Sequence, residues 1–386
     1  AFPLDNDDGS VYYVINESNP NNPTVTLGSR AKLLRQYFKF IRYGALRIKA
    51  TSSSDTFDPA AFVNTDGKFV VVVKTSGGGN ITLQGLPAGT YGVKFTTPSQ
   101  YDIDTADITI AAGQALNTSI PRDGVITIYG KSAANVVSVD ASSYARASSP
   151  GQIEAAFGVG FPADANVTAL ATTTPLPTKL SNVSVRLNDI LAPLFFVGVG
   201  GAQGSGAFQI NYQVPYQLQP GLAKLEVLNN DVVVTTGYVI VGSVAPGVFT
   251  ATATGKGQAV AVNQDFSLNG DPAQTPTAKP EARGRIVTLF ANGPGGQFVN
   301  PANGQALMPA SGAPIPASPI HATASAPIVT IGGMPATVTF SGLTPGLVGL
   351  WQLNVMIPAN APVGNAVPVE IKLNRKIANQ TTIAVN

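Results

Sequence analysis

Glutamates are the side chains in this sequence with the clearest catalytic potential, because hydrolysis of a glycosidic bond needs two carboxyl groups facing each other across the sugar. Glu17 stands where a strand of an enzyme barrel could end, but no second carboxylate lies at a fixed spacing from it. We therefore predict that the chain has no catalytic residue and is not an enzyme. The five glutamates fall in different parts of the sequence: Glu17, Glu154, Glu226, Glu281 and Glu370.

Two aspartate patterns and the single histidine are the candidates for a metal or acid–base site. Residues 5–9 read Asp-Asn-Asp-Asp-Gly, but the glycine comes one position too early for an EF-hand calcium loop and no bidentate glutamate follows. Asp102, Asp104 and Asp107 alternate along a predicted strand, where they either share a cation or form a solvated face. His321 has no serine or acid motif around it, so we predict a surface residue. Neither a metal site nor a cofactor is predicted.

Glycine runs and aromatic residues are the candidates for ligand binding. Residues 77–79 and 198–201 are predicted to be turns rather than phosphate-binding loops, because no helix follows either run. Trp351, the single tryptophan, lies in a strand pattern and is expected in the core rather than on a sugar-binding platform. Five tyrosines could instead form such a platform on the first domain: Tyr12, Tyr13, Tyr91, Tyr101 and Tyr129.

The composition excludes several classes of function. The chain of 386 residues has no cysteine, which rules out disulfides, zinc–thiolate sites, iron–sulfur clusters and cysteine nucleophiles. A net charge of +2 with 11% charged residues argues against nucleic-acid binding. No apolar run reaches the roughly 20 residues that span a membrane. The low charge and the many threonine, asparagine and glycine residues favour a secreted, extracellular protein. Because the chain begins with Ala1 rather than methionine, we expect a removed leader or a cleaved precursor.

A single helix is predicted, near the start of the chain. Apolar residues recur at spacings of three and four through residues 29–43, and Gly44 follows as a stop signal. The other face is basic, continues to Arg47 and Lys49, and contains no acidic residue. It either docks an anionic partner or, as we favour, is a solvated face whose long side chains cover apolar surface. Its residues are Arg30, Lys32, Arg35, Lys39 and Arg42.

From Gly44 onward, apolar residues alternate with polar ones, as in a strand, instead of recurring at every third or fourth position, as in a helix. Short strands separated by turn-rich runs are typical of an antiparallel sandwich. Before Gly44, residues 11–15 are also predicted to be a strand, and residues 131–149 are predicted to be a linker. The six strands predicted between residues 44 and 130 are 45–50, 69–74, 81–83, 92–96, 107–110 and 124–129.

The second half of the chain repeats itself in order. Residues 151–160 match 284–293 at an offset of 133, and residues 209–215 match 352–358 at an offset of 143. Two copies of one β-sandwich are therefore predicted, with the change of offset in residues 297–327, which are predicted to be a long surface loop. A further match, at an offset of 144, pairs residues 191–196 with 335–340.

Several ordered motifs of this half carry a family resemblance: residues 209–215, 244–251, 257–264, 282–290 and 345–354. Together they resemble the Solibacter-type C-terminal domain of secreted acidobacterial proteins over residues 135–386. The resemblance implies tandem immunoglobulin-like modules at the end of a large exported protein, with no enzymatic activity attached.

The N-terminal part carries a different resemblance. Residues 32–48 and 62–73 look like the last barrel helix and the appended β-sandwich of (β/α)8 glycoside hydrolases of the glucuronoxylanase and glucosylceramidase clan, over residues 10–130. The barrel strands that hold the catalytic carboxylates of that clan have no counterpart in this sequence. The resemblance therefore implies an accessory sandwich and carries over no catalytic residue.

These patterns predict an all-β protein of three consecutive immunoglobulin-like β-sandwiches with one short N-terminal helix, in domains 1–130, 131–243 and 244–386. We expect a non-catalytic extracellular structural or adhesive protein, such as the repeating subunit of a cell-surface filament or sheath. The alternative is a carbohydrate-binding accessory region derived from a glycoside hydrolase. Expected partners are a polysaccharide and other copies of the chain, contacted through the N-terminal segment and the sandwich edges. Residues 11–15 either complete their own sandwich or pair with the next copy.

Overall fold

The structure, a computed structural model, describes residues 12–111, 113–131, 136–158, 168–199 and 208–386. Within these residues one helix, α1 (Ser29–Phe38), stands among strands, so the all-β prediction is confirmed. The chain divides into two compact units, Ala1–Ala134 and Asn135–Asn386. Among the described residues, no helix is long and apolar enough to cross a membrane.

The strands of the first unit are β1 (Tyr13–Asn16), β2 (Thr24–Leu27), β3 (Leu46–Ile48), β4 (Phe57–Val63), β5 (Phe69–Thr75), β6 (Gly79–Leu83), β7 (Gly89–Thr96), β8 (Ile103–Asp104), β9 (Ile108–Ile110), β10 (Leu116–Ile120) and β11 (Gly124–Gly130). The large sheet has the order β3–β4–β5–β11–β7–β8, with β9 also paired to β7. β6 and β10 pair in a second, two-stranded sheet. The six strands predicted after Gly44 are all present.

α1 covers one face of the large sheet. The alternation of β5 places Val70 and Val72 on this face, where they pack with Val125 beneath Leu33 and Tyr37 of the helix. The next residues along β5 must then lie on the opposite face, because side chains alternate along a strand. That opposite face carries Phe69, Val71 and Val73.

α1 is shorter than predicted and is fixed by a polar contact. It ends at Phe38 rather than near Tyr43, and Phe38, predicted on the apolar face, is 69% exposed. The one residue of α1 that is fully buried is Gln36. Its side-chain Nε2 donates a hydrogen bond to Thr96 Oγ1 at 2.9 Å, and its backbone carbonyl accepts one from Thr127 Oγ1 at 3.0 Å. These two hydrogen bonds attach α1 to β7 and β11, in addition to the apolar packing of the helix on the sheet.

β4 and β10 are strands that the hydrophobic pattern does not predict. β4 contains Pro59, which interrupts the apolar run, yet this strand lies between β3 and β5 with Pro59 opposite Val73. β10 buries only its two ends, Leu116 and Ile120, so its hydrophobic signal is weak. Tertiary pairing stabilises both strands where local preference does not.

β1 and β2 form a hairpin. The strand predicted at residues 11–15 is therefore present from Tyr13 onward, residue 11 lies outside the described residues, and β1 does not complete the first sandwich. Tyr13 lies opposite Leu27 and Ile15 opposite Val25, and within the described residues β1 pairs with no strand other than β2. These four side chains share one side of the hairpin, which we call the hairpin apolar face. Tyr13 is 58% and Val25 62% exposed, so this face is open in the single chain.

The second unit begins with the second sandwich, residues 136–241. Its strands are β12 (Val136–Asp140), β13 (Ile153–Gly158), β14 (Ala169–Leu170), β15 (Val183–Leu187), β16 (Ile190–Leu191), β17 (Leu194–Val199), β18 (Phe208–Gln213), β19 (Gly221–Asn229) and β20 (Val232–Val241). The sheet β12–β13–β18–β17–β14 faces the sheet β16–β15–β19–β20, and side chains of both sheets form one core.

The third sandwich, residues 247–385, follows. Its strands are β21 (Gly247–Val248), β22 (Gly257–Gln258), β23 (Ala261–Val262), β24 (Ile286–Asn292), β25 (Phe298–Val299), β26 (Ala306–Leu307), β27 (Ala322–Thr323), β28 (Ile328–Ile331), β29 (Met334–Leu343), β30 (Trp351–Met356), β31 (Gly364–Leu373), β32 (Lys376–Ile377) and β33 (Thr381–Val385). β29 belongs to both layers, because it pairs first with β28 and then with β30.

The second and third sandwiches follow the same strand plan. β18 and β30, which contain the matched runs, are both central strands, flanked by β13 and β17 in one sandwich and by β24 and β29 in the other. Equivalent hairpins turn through two residues of positive φ, Asn188 and Asp189 in one and Gly332 and Gly333 in the other, as type I′ turns require. The immunoglobulin-like type and the three domain limits stay predictions.

Two segments predicted to be loops are part of the packed structure. Residues 131–149, predicted as a linker, contain β12. Residues 297–327, predicted as a surface loop, contain β25, β26 and β27 and bury Phe298 and Ile315 beside Tyr216 of the second sandwich. Phe298 and Tyr216 meet edge to face, with ring centroids 6.1 Å apart. Because the second segment is rich in proline, alanine and glycine, its few buried apolar residues do not stand out in the sequence.

Candidate functional site

A groove on the first unit is the candidate site. Its volume is about 900 Å³, and it lies on the face of the large sheet opposite α1. β4 and β5 form the floor, β6 forms one wall, and residues 48–54 form the rim. We call it the β4–β6 groove. Its floor residues are Phe57, Pro59, Ala61, Val71 and Val73.

The groove exists because the two-stranded sheet of β6 and β10 covers only part of the seven-stranded sheet. β6 turns Ile81 inward, and beneath it Val71 and Val73 of β5 are buried. Toward β4 the cover ends, and Phe57 and Pro59 are only half-buried. The floor is therefore apolar and partly open to solvent.

The wall and rim of the β4–β6 groove carry neutral polar side chains. Thr51, Ser52, Ser53 and Ser54 line the rim. Asn80, Thr82 and Gln84 alternate with the inward-facing Ile81, so they stand at the outer edge of the wall, and all of these polar residues are exposed. Lys49 is the one charged residue in this lining. Hydroxyl and amide groups both donate and accept hydrogen bonds, so the arrangement suits an uncharged ligand with hydroxyl groups on an apolar ring.

The structure does not assemble the glutamates into a site. Glu17 lies in the exposed turn after β1, and Glu226 forms ion pairs with Arg186 and Lys224. Within the described residues, no group of three or more His, Asp or Glu side chains is placed to hold a metal ion. The calcium-like residues 5–9 lie outside the described residues. The remaining glutamates lie on β13 (Glu154), before β24 (Glu281) and on β31 (Glu370).

Asp102 pairs with basic side chains of the first unit, which corrects the prediction of one alternating strand. It occupies a turn with φ of 54° and forms ion pairs with Arg35, Lys39 and Lys94. Partial burial opposes ionisation, yet these three cations hold the pKa of Asp102 below its usual value. The other two aspartates pair elsewhere, Asp104 with Lys94 and Asp107 with Lys131.

The basic face of α1 is partly neutralised by these contacts. Besides the ion pairs to Asp102, the charged groups of Lys32 and Arg35 each lie 6.0 Å from the centre of the Tyr101 ring. Arg30 lies 5.4 Å from the Tyr12 ring centre. This arrangement favours the solvated face over a docking surface for an anion.

The five tyrosines do not form a common platform. Tyr91 is 4% exposed and donates its hydroxyl hydrogen to the Pro87 carbonyl at 2.8 Å. Tyr129 stacks on Phe40 beneath α1, with ring centroids 4.3 Å apart. Tyr12 and Tyr13 are exposed, but they belong to the separate β1–β2 hairpin.

Trp351 is confirmed as a core residue, whereas His321 corrects a prediction. Trp351 is fully buried and donates from Nε1 to Ser341 Oγ at 3.0 Å. His321, predicted on the surface, is 6% exposed, with Nδ1 3.0 Å from the Pro319 carbonyl. It is buried because residues 297–327 fold back, which places its ring 6.4 Å from that of Phe298.

The two glycine runs differ in outcome. Residues 77–79 connect β5 to β6 as a turn, as predicted. Gly198 is buried inside β17, so the turn prediction is wrong there, and residues 200–201 lie outside the described residues.

A buried polar seam joins the second and third sandwiches. Asn292 of β24 donates from Nδ2 to Asp140 Oδ1 at 2.6 Å and to the Ile153 carbonyl at 2.7 Å, and its Oδ1 accepts from the Ile153 N–H at 3.0 Å. Asp140 also accepts from the backbone and hydroxyl groups of Ser142 and Ser143. Because Asn292 and Asp140 are at most 1% exposed, the seam is a structural joint rather than a binding site.

Glu154 lies next to this seam, paired with Asp140 between β13 and β12. Its pKa is raised to about 8, mainly by burial and also by the nearby Asp140, against the opposing effect of the hydrogen bond from Ser138. Ser138 Oγ donates to Glu154 Oε2 at 2.6 Å and lies 2.8 Å from the Tyr212 hydroxyl. Glu154 Oε1 has no partner in the part of the chain that the structure describes. At 1% exposure this carboxyl group cannot reach a dissolved substrate.

Comparison with known proteins gives distant likenesses only. The chain is similar to a glycoside hydrolase family 30 endoxylanase from Clostridium papyrosolvens, with 23% identity over 28% of each chain and a TM-score of 0.25. A subfamily 8 xylanase of the same family, from Clostridium acetobutylicum, is 21% identical over 31% of each chain, with a TM-score of 0.27. The SGBP-B protein of the Bacteroides ovatus mixed-linkage glucan utilization locus, solved with a mixed-linkage heptasaccharide, is 12% identical, with a TM-score of 0.26; 90% of this chain and 65% of that one are covered.

These likenesses assign neither a family nor an activity. The chain spans less than a third of the length of the two xylanases. No family model matches the chain, and no curated protein does. The resemblance to the Solibacter-type domain is therefore unsupported.

The residues of the β4–β6 groove were not among the candidates that the sequence suggests. The serine- and threonine-rich run at residues 51–54 and the polar residues of β6 are visible as turn and strand signals only. Their common location depends on β4, which the pattern does not predict. The seam was not predicted either, because Asp140 lies within residues 131–149, which the sequence pattern predicts to be a linker.

Proposed function

We propose that the chain is a non-catalytic adhesive protein of the cell exterior that binds a neutral polysaccharide in the β4–β6 groove. The observation that carries this proposal is the lining of the groove, an apolar floor beneath neutral hydroxyl and amide side chains. A pyranose ring has the matching chemistry, because its C–H face is apolar and its edge carries hydroxyl groups. The volume, about 900 Å³, is within the range of small-molecule binding sites.

Charge supports a neutral ligand over an anionic one. Lys49 is the single charged residue in the lining, so the groove has no cluster of cations to hold carboxylate or phosphate groups. A neutral ligand also avoids the cost of removing an ion from water. Binding should therefore depend little on salt concentration.

The second unit supports an adhesive rather than a catalytic role. Its two sandwiches are joined by the seam at Asn292 and by the contact of Phe298 with Tyr216, so the second unit by itself is a stiff body of the kind that an adhesive spacer needs. The extracellular location is part of the proposal, and the low charge supports it.

Calorimetric titration of the full chain with xylohexaose and with a mixed-linkage β-glucan oligosaccharide tests this function. Gln84, exposed on the groove wall, should contribute one hydrogen bond to a neutral partner, which is worth about 0.5–1.5 kcal/mol. Gln84→Ala should therefore weaken binding about two- to tenfold. Gln100→Ala, which removes an exposed amide outside the groove, should leave the affinity unchanged.

The proposal fails if the unmodified chain binds none of these saccharides, or if Gln84→Ala and Gln100→Ala bind them equally. Thermal unfolding of both variants checks that neither substitution acts through loss of the fold.

A further inference from the structure

The outer face of the second sandwich carries two phenylalanines beside an amide pair. Ile210 and Tyr212 of β18 are fully buried, so Gln209 and Asn211 lie on the opposite, outer side of the same strand. In the register of the sheet, Phe157 of β13 lies opposite Gln209, and Phe196 of β17 lies opposite Asn211. All four side chains are partly exposed, and they form what we call the first quartet: Phe157, Phe196, Gln209 and Asn211.

The third sandwich carries the same four residue types at the equivalent positions. Leu353 and Val355 of β30 are buried, and the residues alternating with them lie on the outer face. Phe290 of β24 lies opposite Gln352, and Phe340 of β29 lies opposite Asn354. This second quartet, also partly exposed, consists of Phe290, Phe340, Gln352 and Asn354.

A β-bulge and a glycine set the aromatic ring in the same way in both quartets. The register shifts between Leu194 and Phe196 in one sandwich and between Val338 and Phe340 in the other. Such a bulge re-aims the side chain that follows it. Each ring then extends along the strand over a glycine two residues further on. A Cβ atom placed at these glycines would lie 3.0 Å from Phe196 Cζ at Gly198 and 2.7 Å from Phe340 Cζ at Gly342.

The tip of each ring therefore lies close to the strand surface, in space that the glycine leaves free. A ring that lies along a sheet presents a flat face outward, whereas one that stands upright presents an edge. The glycine at both positions keeps this orientation available.

The amide pair is similar in both quartets, except that Asn354 Oδ1 also accepts a hydrogen bond from Thr288 Oγ1 at 3.1 Å. Gln209 Nε2 donates to Asn211 Oδ1 at 2.6 Å, and Gln352 Nε2 donates to Asn354 Oδ1 at 2.9 Å. In the described part of the chain, the remaining groups, the glutamine Oε1 acceptor and the asparagine Nδ2 donor, have no partner. Each quartet thus presents one acceptor and one donor beside a flat aromatic surface, with no ionisable group of its own.

We propose that each quartet is a binding site for one pyranose ring of a neutral polysaccharide, so that the second and third sandwiches each hold the polymer once. The ring's C–H face stacks on phenylalanine, and two neighbouring hydroxyl groups bond to the free amide acceptor and donor. The choice of ligand rests on the proposed function, but the quartets are separate from the β4–β6 groove. Two linked weak sites on one chain would retain a polymer far better than either alone, because the second contact forms at an effective concentration on the order of mM.

Titration of the full chain with xylohexaose and with a mixed-linkage β-glucan oligosaccharide measures the number of sites. The unmodified chain should bind at the groove and at both quartets. Phe196→Ala and Phe340→Ala should each remove one site, and the double variant should remove two. On insoluble polysaccharide, the double variant should be retained at least about tenfold less than either single variant.

Matched variants separate binding from a structural role of the rings. Phe266→Ala removes a phenylalanine that is 89% exposed outside both quartets and should change neither stoichiometry nor retention. Phe340→Tyr keeps a flat ring over Gly342 and should restore the site that Phe340→Ala loses. A purely structural ring would instead lower the unfolding temperature in Phe340→Ala with no change in the number of sites.

The outcomes distinguish this proposal from the groove. If the Phe196 and Phe340 variants retain all sites, the quartets are structural and the inference is wrong, whatever Gln84→Ala does. If Gln84→Ala binds as the unmodified chain does while the phenylalanine variants lose sites, the groove proposal fails and the quartets stand. No binding by the unmodified chain overturns both.

Discussion

At the scale of single residues, Glu154 is the side chain whose surroundings most alter its chemistry. It is closed off from solvent on β13, and its carboxyl group is held by one hydroxyl group, that of Ser138. With a pKa of about 8 it is mostly protonated at neutral pH, so the interior of the second sandwich holds a neutral acid rather than an unpaired charge.

This residue should make stability fall with rising pH. Its pKa is about 8 in the folded chain against an ordinary value of 4.5, so the folded state binds more protons between these values. The stability it contributes is fully present below pH 4.5 and is lost as pH rises through 8, by up to about 1.4 kcal/mol per pH unit. Glu154→Gln, which cannot ionise, should therefore gain stability relative to the unmodified chain from pH 5 to pH 8.

Urea denaturation at the two pH values measures this gain. Glu370→Gln, an exposed glutamate on β31, is the control and should behave as the unmodified chain does at both. Equal pH dependence in all three proteins would contradict a raised pKa.

Glu17 is the residue on which an enzymatic role would have to depend. It is exposed beyond β1 and has no carboxylate partner in the first unit that the sequence or the described contacts reveal. We expect no release of reducing sugar from xylan, from β-glucan or from aryl glycosides. Turnover that disappears in Glu17→Gln would refute the non-catalytic proposal.

At the scale of elements, the prediction from sequence succeeded where a strand buries a continuous apolar run and failed where the contacts are polar or distant. β5, with five consecutive buried residues, and β7 are evident from their apolar runs. β4 is not, because Pro59 interrupts its pattern while strands on both sides hold it in place. Neither the groove nor the seam could be foreseen, since each depends on side chains brought together from separate strands.

The β1–β2 hairpin is the element that bears on self-association, which stays a prediction. An isolated two-stranded hairpin is marginally stable in water, and its apolar face gains from any cover. If another copy supplies that cover, the average mass by light scattering should rise with concentration for the full chain. The double variant Tyr13→Thr/Val25→Thr should remain monomeric, because it removes two of the four apolar side chains on that face.

A matched change on the other side of the hairpin is Val14→Thr, since Val14 pairs with Thr26. This variant should associate as the full chain does. A full chain that is monomeric at every concentration would end the filament hypothesis.

At the scale of the whole molecule, three sandwiches should behave as two unfolding units. Asn292 and Phe298 of the third sandwich contact Asp140, Ile153 and Tyr216 of the second, so neither can unfold without exposing the other. Calorimetry should show two transitions, one for each compact unit. Three independent transitions would contradict this coupling.

Asn292→Ala tests the coupling directly. The substitution removes one of the hydrogen bonds to Asp140 and leaves the buried N–H and carbonyl of Ile153 without the Asn292 side chain, at a cost of about 1–3 kcal/mol. It should lower the midpoint of the transition that contains both sandwiches and leave the other unchanged. Asn360→Ala, an exposed asparagine of the third sandwich, should shift neither.

The seam also has a consequence for how such a chain can evolve. Two sandwiches of similar plan could in principle be exchanged one at a time, but Asn292 and Asp140 lie in different sandwiches and are joined by a hydrogen bond. Gly247 adds a second dependence, because the Cβ atom of any other residue at this position would collide with Asp140 Oδ2. If recombination separated the two sandwiches, the Ile153 backbone in one and the Asn292 side chain in the other would each lose hydrogen bonds at a buried position. We therefore expect the second and third sandwiches to be inherited together, and to be transferable to another protein only as a unit.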